Sequence, residues 1–210
     1  MAPSASQALS ILRDPSLFQW YLIPFLLVVV HMYFQEIGRK NWNVIFAGFA
    51  FWGMEWNAEL INAVYFFVSG YAPLWATPGD TAYQILIGLN IEISLMFLIM
   101  GIASVKVLPD DKKMKILGLP NRLVIAAVLA VCCILVEAVL NTIGVLTWEY
   151  WYWSAKFPVF LFLLGYFPLF VVSYWVYDMN SVKKQAVVTL GIYCMDAVWV
   201  LLFGVMAKWI

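Results

Sequence analysis

Long apolar runs separated by short polar breaks dominate the chain. They cover residues 17–34, 42–70, 81–107, 123–147, 158–177 and 185–207. Each is close to, or longer than, the roughly 20 residues a helix needs to cross a bilayer. The pattern predicts an all-α fold, a polytopic transmembrane helical bundle of about six spans, with seven as the upper reading. Trp20 and Tyr21 flank the first run, and a band from Trp148 to Trp153 precedes the fifth, as interfacial aromatic belts do. The second run is overlong and is expected to tilt or kink. Residues 1–16 carry a short apolar stripe of Leu9, Ile11 and Leu12 without a basic leader. They read as a short interfacial helix rather than a signal peptide. Residues 1–210 are expected to form a single transmembrane helical domain.

The breaks set an orientation. Arg39, Lys40, Lys106, Lys112, Lys113, Lys115, Arg122, Lys183 and Lys184 fall on one side, and Arg13, Lys156 and Lys208 on the other. By the positive-inside rule both termini are expected on the periplasmic or lumenal side. An inverted repeat is faint: Gly88 then Glu92 in the third run, Gly191 then Asp196 in the sixth.

Composition narrows the function. With 65% hydrophobic and 11% charged residues the chain belongs with membrane helices, and the lipid bilayer is its expected surroundings. Zero net charge leaves nucleic acid no electrostatic handle. Cys132, Cys133 and Cys194 all lie inside apolar runs and read as packing residues. The single histidine, His31, excludes His-rich metal clusters and makes a Ser-His-Asp triad improbable. It reads as an interfacial or structural residue. No GxGxxG or P-loop motif is present, and neither a metal nor a cofactor is expected.

Polar residues inside the runs carry what chemistry there is. Glu55, Glu59 and Asn62 stand at i, i+4 and i+7 on one helix face, flanked by Trp52 and Trp56. Gln84, Asn90 and Glu92 follow in the third run, Glu137 and Asn141 in the fourth, and Tyr193 and Asp196 in the sixth. A central acid costs roughly 2.5–3.5 kcal/mol to insert, and a central leucine returns only about 0.3–0.6. Five acids without a basic residue at comparable depth therefore point to a shared polar interior, a bound cation or protonated carboxyls. One of Glu55 and Glu59 is expected to hold a proton at pH 7, ready to donate it. Asn90 and Glu92 are about 200° apart on a helix and cannot both face one cavity. The simpler reading of each group is interhelical hydrogen bonding. It weighs least for Glu55 and Glu59, because two acids in one turn make poor glue. Trp52 and Trp56 read either as packing or as a π-wall facing a cation.

Carboxyl acid/base chemistry on a hydrophobic small-molecule substrate needs no metal, histidine or nucleotide. Glu55, Glu59, Asp196, Glu92 and Glu137 are the candidate catalytic groups. Trp52, Trp56, Asn62, Asn141 and Tyr193 are the candidate substrate contacts. The Trp-rich run with Trp52, Glu55, Trp56 and Glu59, together with Asp196 in a later run, resembles the small integral-membrane terpene cyclases of meroterpenoid pathways. That resemblance implies protonation of an isoprenoid epoxide by Glu55 or Glu59 with Asp196 as a partner. It also implies seven spans rather than six. Sterol isomerases of the emopamil-binding type are similar in layout, but their site histidine has no match here. Two other classes stay open. One is a small transporter with a midplane Glu/Asn site for a proton, an organic cation, or Mg²⁺, Ca²⁺ or Mn²⁺. The other is a non-catalytic subunit contacting membrane partner subunits.

Overall fold

The structure, a computed structural model, describes residues 1–208. Among the described residues seven α-helices carry the fold: α1 Pro3–Ser10, α2 Leu22–Gly38, α3 Trp42–Ser69, α4 Ile91–Lys106, α5 Asn121–Thr142, α6 Phe167–Tyr177 and α7 Val182–Trp199. A π-helical turn, Leu161–Tyr166, leads into α6, and another, Val200–Met206, extends α7. Two helices are long and apolar enough to cross a membrane by themselves, Asn121–Thr142 and Val182–Met206. Their outward faces are apolar, with Val128, Val131, Leu135 and Val139 on α5 and Val187, Leu190, Val198 and Leu202 on the α7 stretch. Such a surface suits hydrocarbon rather than water.

Helix α3 is the central element and packs against α4, α6 and α7, with α2 at its side. Small residues make this closeness feasible. A Cβ on Gly101 of α4 would lie 2.7 Å from the Gly48 carbonyl oxygen of α3, so the two backbones touch there. Membrane helices lacking a hydrophobic drive between them gain attraction through such contacts. The main core joins Val29 and Tyr33 of α2, Phe51 of α3, Ile102 of α4, Ala130 of α5 and Phe170 of α6.

The third apolar run departs from expectation. Helix was expected from Thr81, but α4 begins at Ile91, and residues 70–90 fold inward as a mostly buried, non-helical cap. Asn90 sets the start, its Oδ1 accepting from the Ile93 amide at 2.9 Å. The preceding backbone finds partners elsewhere. The Ile85 amide donates to the Leu89 carbonyl at 2.8 Å, and the Thr77 amide to the Ile87 carbonyl at 3.2 Å. Gln84 Nε2 donates to Thr77 Oγ1 and to the Leu86 carbonyl, at 2.6 and 2.7 Å. Irregular backbone is tolerated among membrane helices only when it is satisfied by protein in this way.

The N-terminal segment, expected at the interface, rides on this cap. The Ala2 amide reaches the Tyr71 carbonyl and the Arg13 amide the Gln84 carbonyl, both at 2.8 Å. Ala5 and Ala8 are fully buried beneath α1. Ala76 and Thr147 exchange backbone bonds of 3.1 and 2.8 Å, which ties the cap to the turn after α5. That turn begins sooner than the apolar pattern suggests, since α5 stops at Thr142.

The opposite end holds the basic breaks and a small hairpin pairing Lys115–Ile116 with Leu119–Pro120. Here Glu36 contacts Lys106, Arg39 at 3.3 Å and Asn41 at 2.7 Å. Arg122 grips Asp178 with two bonds of 3.0 and 3.1 Å.

Candidate functional site

A cavity of about 450 Å³ lies between α3, α4, α5 and the π-turn before α6, roofed by the cap. This is within the ordinary range for small-molecule sites, about 300–1,000 Å³. Glu55 and Glu59, one turn apart on α3, and Glu137 of α5 reach it from two helices. All three are buried, at 2, 4 and 7% exposure. Glu59 Oε1 accepts from Trp75 Nε1 at 2.8 Å. Glu59 Oε2, Glu137 Oε2 and both oxygens of Glu55 have no hydrogen-bond partner among the described residues. No lysine or arginine lines the cavity. Trp75 and Trp153 stack in the roof with ring centroids 5.5 Å apart. Tyr166, in the π-turn, stands beside Glu137. Phe97, Phe170 and Leu161 continue the wall.

The roof is held by tight local packing. Asn62 Oδ1 accepts from the amides of Leu74 and Trp75, at 2.7 and 3.4 Å, and Asn62 Nδ2 donates to the Trp75 carbonyl at 2.8 Å. Gly88 lies directly against this cluster. A Cβ there would come within 2.6 Å of Asn62 Nδ2 and Trp75 Nε1 and within 2.7 Å of Glu59 Oε2. Only glycine leaves room for the Glu59–Trp75 bond.

The other candidates separate. Asp196 of α7 is buried beside Asn57 and faces Glu55 from behind, but it does not line the cavity. Its two oxygens also lack partners among the described residues. Glu92 lies in the first turn of α4, away from the cavity. It accepts from Thr81 Oγ1 at 2.5 Å, from the Ala82 amide at 2.7 Å and from the Tyr21 hydroxyl, which pins the cap to the helix start. Asn141 closes the end of α5 by donating to the Leu146 carbonyl at 3.1 Å. Trp52 donates to Ser94 Oγ at 2.9 Å and packs edge-on against Trp56 and Tyr193. Tyr193 donates to the Phe49 carbonyl at 2.8 Å, and Trp56 packs with Leu60, Leu86 and Leu89.

The rings on the cavity are therefore Trp75, Trp153, Phe97, Tyr166 and Phe170, none of which the apolar pattern singles out. Trp75 sits in a proline-containing break that reads as plain loop. Trp153 belongs to the aromatic band that reads as an interface anchor. No group of three or more His, Cys, Asp or Glu side chains is placed to hold a metal ion among the described residues.

A helical bundle with lipid-suited outer faces and an acidic, aromatic cavity between its helices has the build of a membrane protein. The chain belongs to a family described as an uncharacterized membrane protein family, whose model matches residues 2–205. It is similar to an uncharacterized protein of Archaeoglobus fulgidus, 55% identical over 207 residues, which covers 99% of this chain and 98% of that protein. A second uncharacterized protein of the same organism is 47% identical over 53 residues, 25% of this chain and 95% of that protein. No solved structure matches the chain.

Proposed function

We propose that this protein is an integral-membrane enzyme that isomerises or cyclises a lipid-soluble, isoprenoid-like substrate by carboxyl acid/base chemistry. The observation that carries the reading is the convergence of Glu55, Glu59 and Glu137 on one otherwise apolar cavity. One carboxyl gives its O–H proton to a substrate double bond, or to an epoxide oxygen as its C–O bond breaks. The carbocation shifts or closes a ring beside the carboxylates and the Trp75, Trp153 and Tyr166 rings. A second carboxylate removes a proton from the neighbouring carbon, and the electrons of that C–H bond form the new double bond. Substrate and product are isomers. The enzyme ends with one proton moved between carboxyls, and exchange between Glu55 and Glu59 resets it. Terpene cyclisation is one form of this chemistry, and it enters through the resemblance alone.

The test is turnover of prenyl epoxides and branched alkenes by the purified protein in deuterated water. Deuterium should appear in an isomeric product, and Glu55→Gln or Glu59→Gln should each lower the rate about 10²–10⁴-fold. Gln variants as active as the parent would overturn the reading. In the membrane we place six spans along the apolar runs that α2–α7 and their two π-helical turns occupy, with Glu36 in the break beyond the first run, and the cap and both described ends on the outer side, as the basic residues direct.

A carrier for a cation is the second reading. It is favoured by the series Glu137, Glu59, Glu55 and Asp196, each facing the next, which runs across the bundle from α5 to α7. Ion-dependent uptake into proteoliposomes would support it, and flat uptake would remove it.

A further inference from the structure

We infer that the cavity is loaded sideways from the bilayer, between α4 and α5, by a single-chain amphiphile whose positively charged end seats under the cap. This rests on the proposed reading of the cavity as the reaction site and names the class of molecule it takes.

The first ground is the gap. Helices α4 and α5 are anchored mainly to other elements, α4 to α3 and α2, and α5 to α6 and its π-turn. Between them the Cys133 thiol reaches the Met100 sulfur at 3.5 Å. Met96 and Ala103 on α4 and Val107 just after it, with Cys132 and Val136 on α5, line the cavity and are exposed. No packed core separates the two helices along this seam, where the lining side chains themselves are accessible. The seam's flexible methionines and small residues are easily displaced.

The second ground is shape. The α4 wall runs from Ile93 to Val107. At about 1.5 Å per residue it is roughly 20 Å long, enough for an extended alkyl or prenyl chain. Glu59, Glu137, Trp75 and Trp153 gather at the cap end, with Glu55 one turn deeper, and below them the wall is almost wholly apolar.

The third ground is charge. Two carboxyl oxygens at the cap end, on Glu59 and Glu137, and both of Glu55 one turn deeper lack partners, and no lysine or arginine among the described residues lines the cavity. The buried Trp153 Nε1 also lacks a partner, but as an N–H donor it calls for an acceptor on the guest, not for its charge. A guest that brings positive charge answers the carboxylates and the ring faces.

The probe is N,N-dimethyldodecylamine, with dodecanol as its uncharged match. Binding to the full-length protein in nanodiscs is measured by titration calorimetry at neutral pH. The amine should bind at least about 10-fold tighter than the alcohol, as expected for a desolvated charge contact. Glu59→Gln and Glu137→Gln should each remove most of that preference, lowering amine affinity far more than dodecanol affinity. Ala103→Trp, which places a large side chain in the seam between α4 and α5, should slow association of both ligands several-fold. Helix content and a monodisperse profile are checked for each variant. Equal binding of amine and alcohol, or association unchanged in Ala103→Trp, overturns the inference. Binding is read without turnover, so the two proposals fail separately. Amine preference without any isomerised product would remove the chemistry and leave the site, and product without amine preference would do the reverse.

Discussion

Glu36 at the basic end and Glu55 at the cavity are equally hidden from solvent, at 0 and 2% exposure, yet their surroundings are opposite. Glu36 is met by Lys106, Arg39 and Asn41, and the nearby Asp178 by Arg122 and Lys112. The charged groups beside Glu55 are other acids, Glu59 and Asp196, and neither of its oxygens has a hydrogen-bond partner among the described residues. Burial alone therefore does not tell a structural acid from a functional one. The supply of partners separates the two, because a buried group left unsatisfied calls for a reason other than stability, and that is the ground for the role proposed for Glu55.

The contrast breaks most sharply through Glu55→Gln and Glu59→Gln, which should lose about 10²–10⁴ in turnover while melting within a few degrees of the parent. Scanning calorimetry beside product analysis separates the two effects, and a collapsed melting temperature would make Glu55 a structural acid like Glu36. Next in size is Gly88→Ala. Its Cβ must displace Asn62, Trp75 or Glu59, which should destabilise the protein by about 1–3 kcal/mol, the usual range for overpacking. Thermal unfolding at the same stability as the parent would show that the roof yields. Asn62→Ala should cost a similar or smaller amount, about 1–3 kcal/mol, since the Leu74 amide and Trp75 carbonyl lose their partner. Limited proteolysis should then cut within residues 70–90 sooner than in the parent.

The smallest effect is in pH. Burial opposes ionisation of Glu36, but Lys106 and Asn41, with Arg39, outweigh it and hold its carboxyl below the ordinary value. A lowered carboxyl contributes stability that is present above the unfolded value, about 4.3, and is lost as pH falls through the folded one. Melting temperatures followed from pH 6 down to pH 3 should decline less in Glu36→Gln than in the parent. Identical declines would mean that Glu36 is not protonated differently in the folded state.

Much of the helical framework was legible beforehand, because apolar spacing and helix length report the same physical need to satisfy backbone groups away from water. The second run became α3, Trp42–Ser69, and the sixth became Val182–Met206, each within a few residues of its pattern. The third run misled over its first ten residues. Leu86, Ile87 and Leu89 are as apolar as any helical stretch, but they belong to the cap and are buried against α1 and α3 rather than by lipid. Composition does not distinguish those two kinds of burial. The same ambiguity hid Trp75 and Trp153, whose break and aromatic band look like loop and membrane anchor until the chain folds back.

By itself, the order of residues determined that helices would form, that they would suit a membrane, and that Glu55 and Glu59 would share a face. These follow from periodicity and hydropathy, which are local. Only the tertiary structure decided that Glu137 joins them across a cavity, that Asp196 stands behind, and that Glu92 is spent on holding the cap. Those outcomes depend on which helices touch and on where a chain reversal finds its hydrogen bonds. Both are set by contacts between residues far apart in the chain.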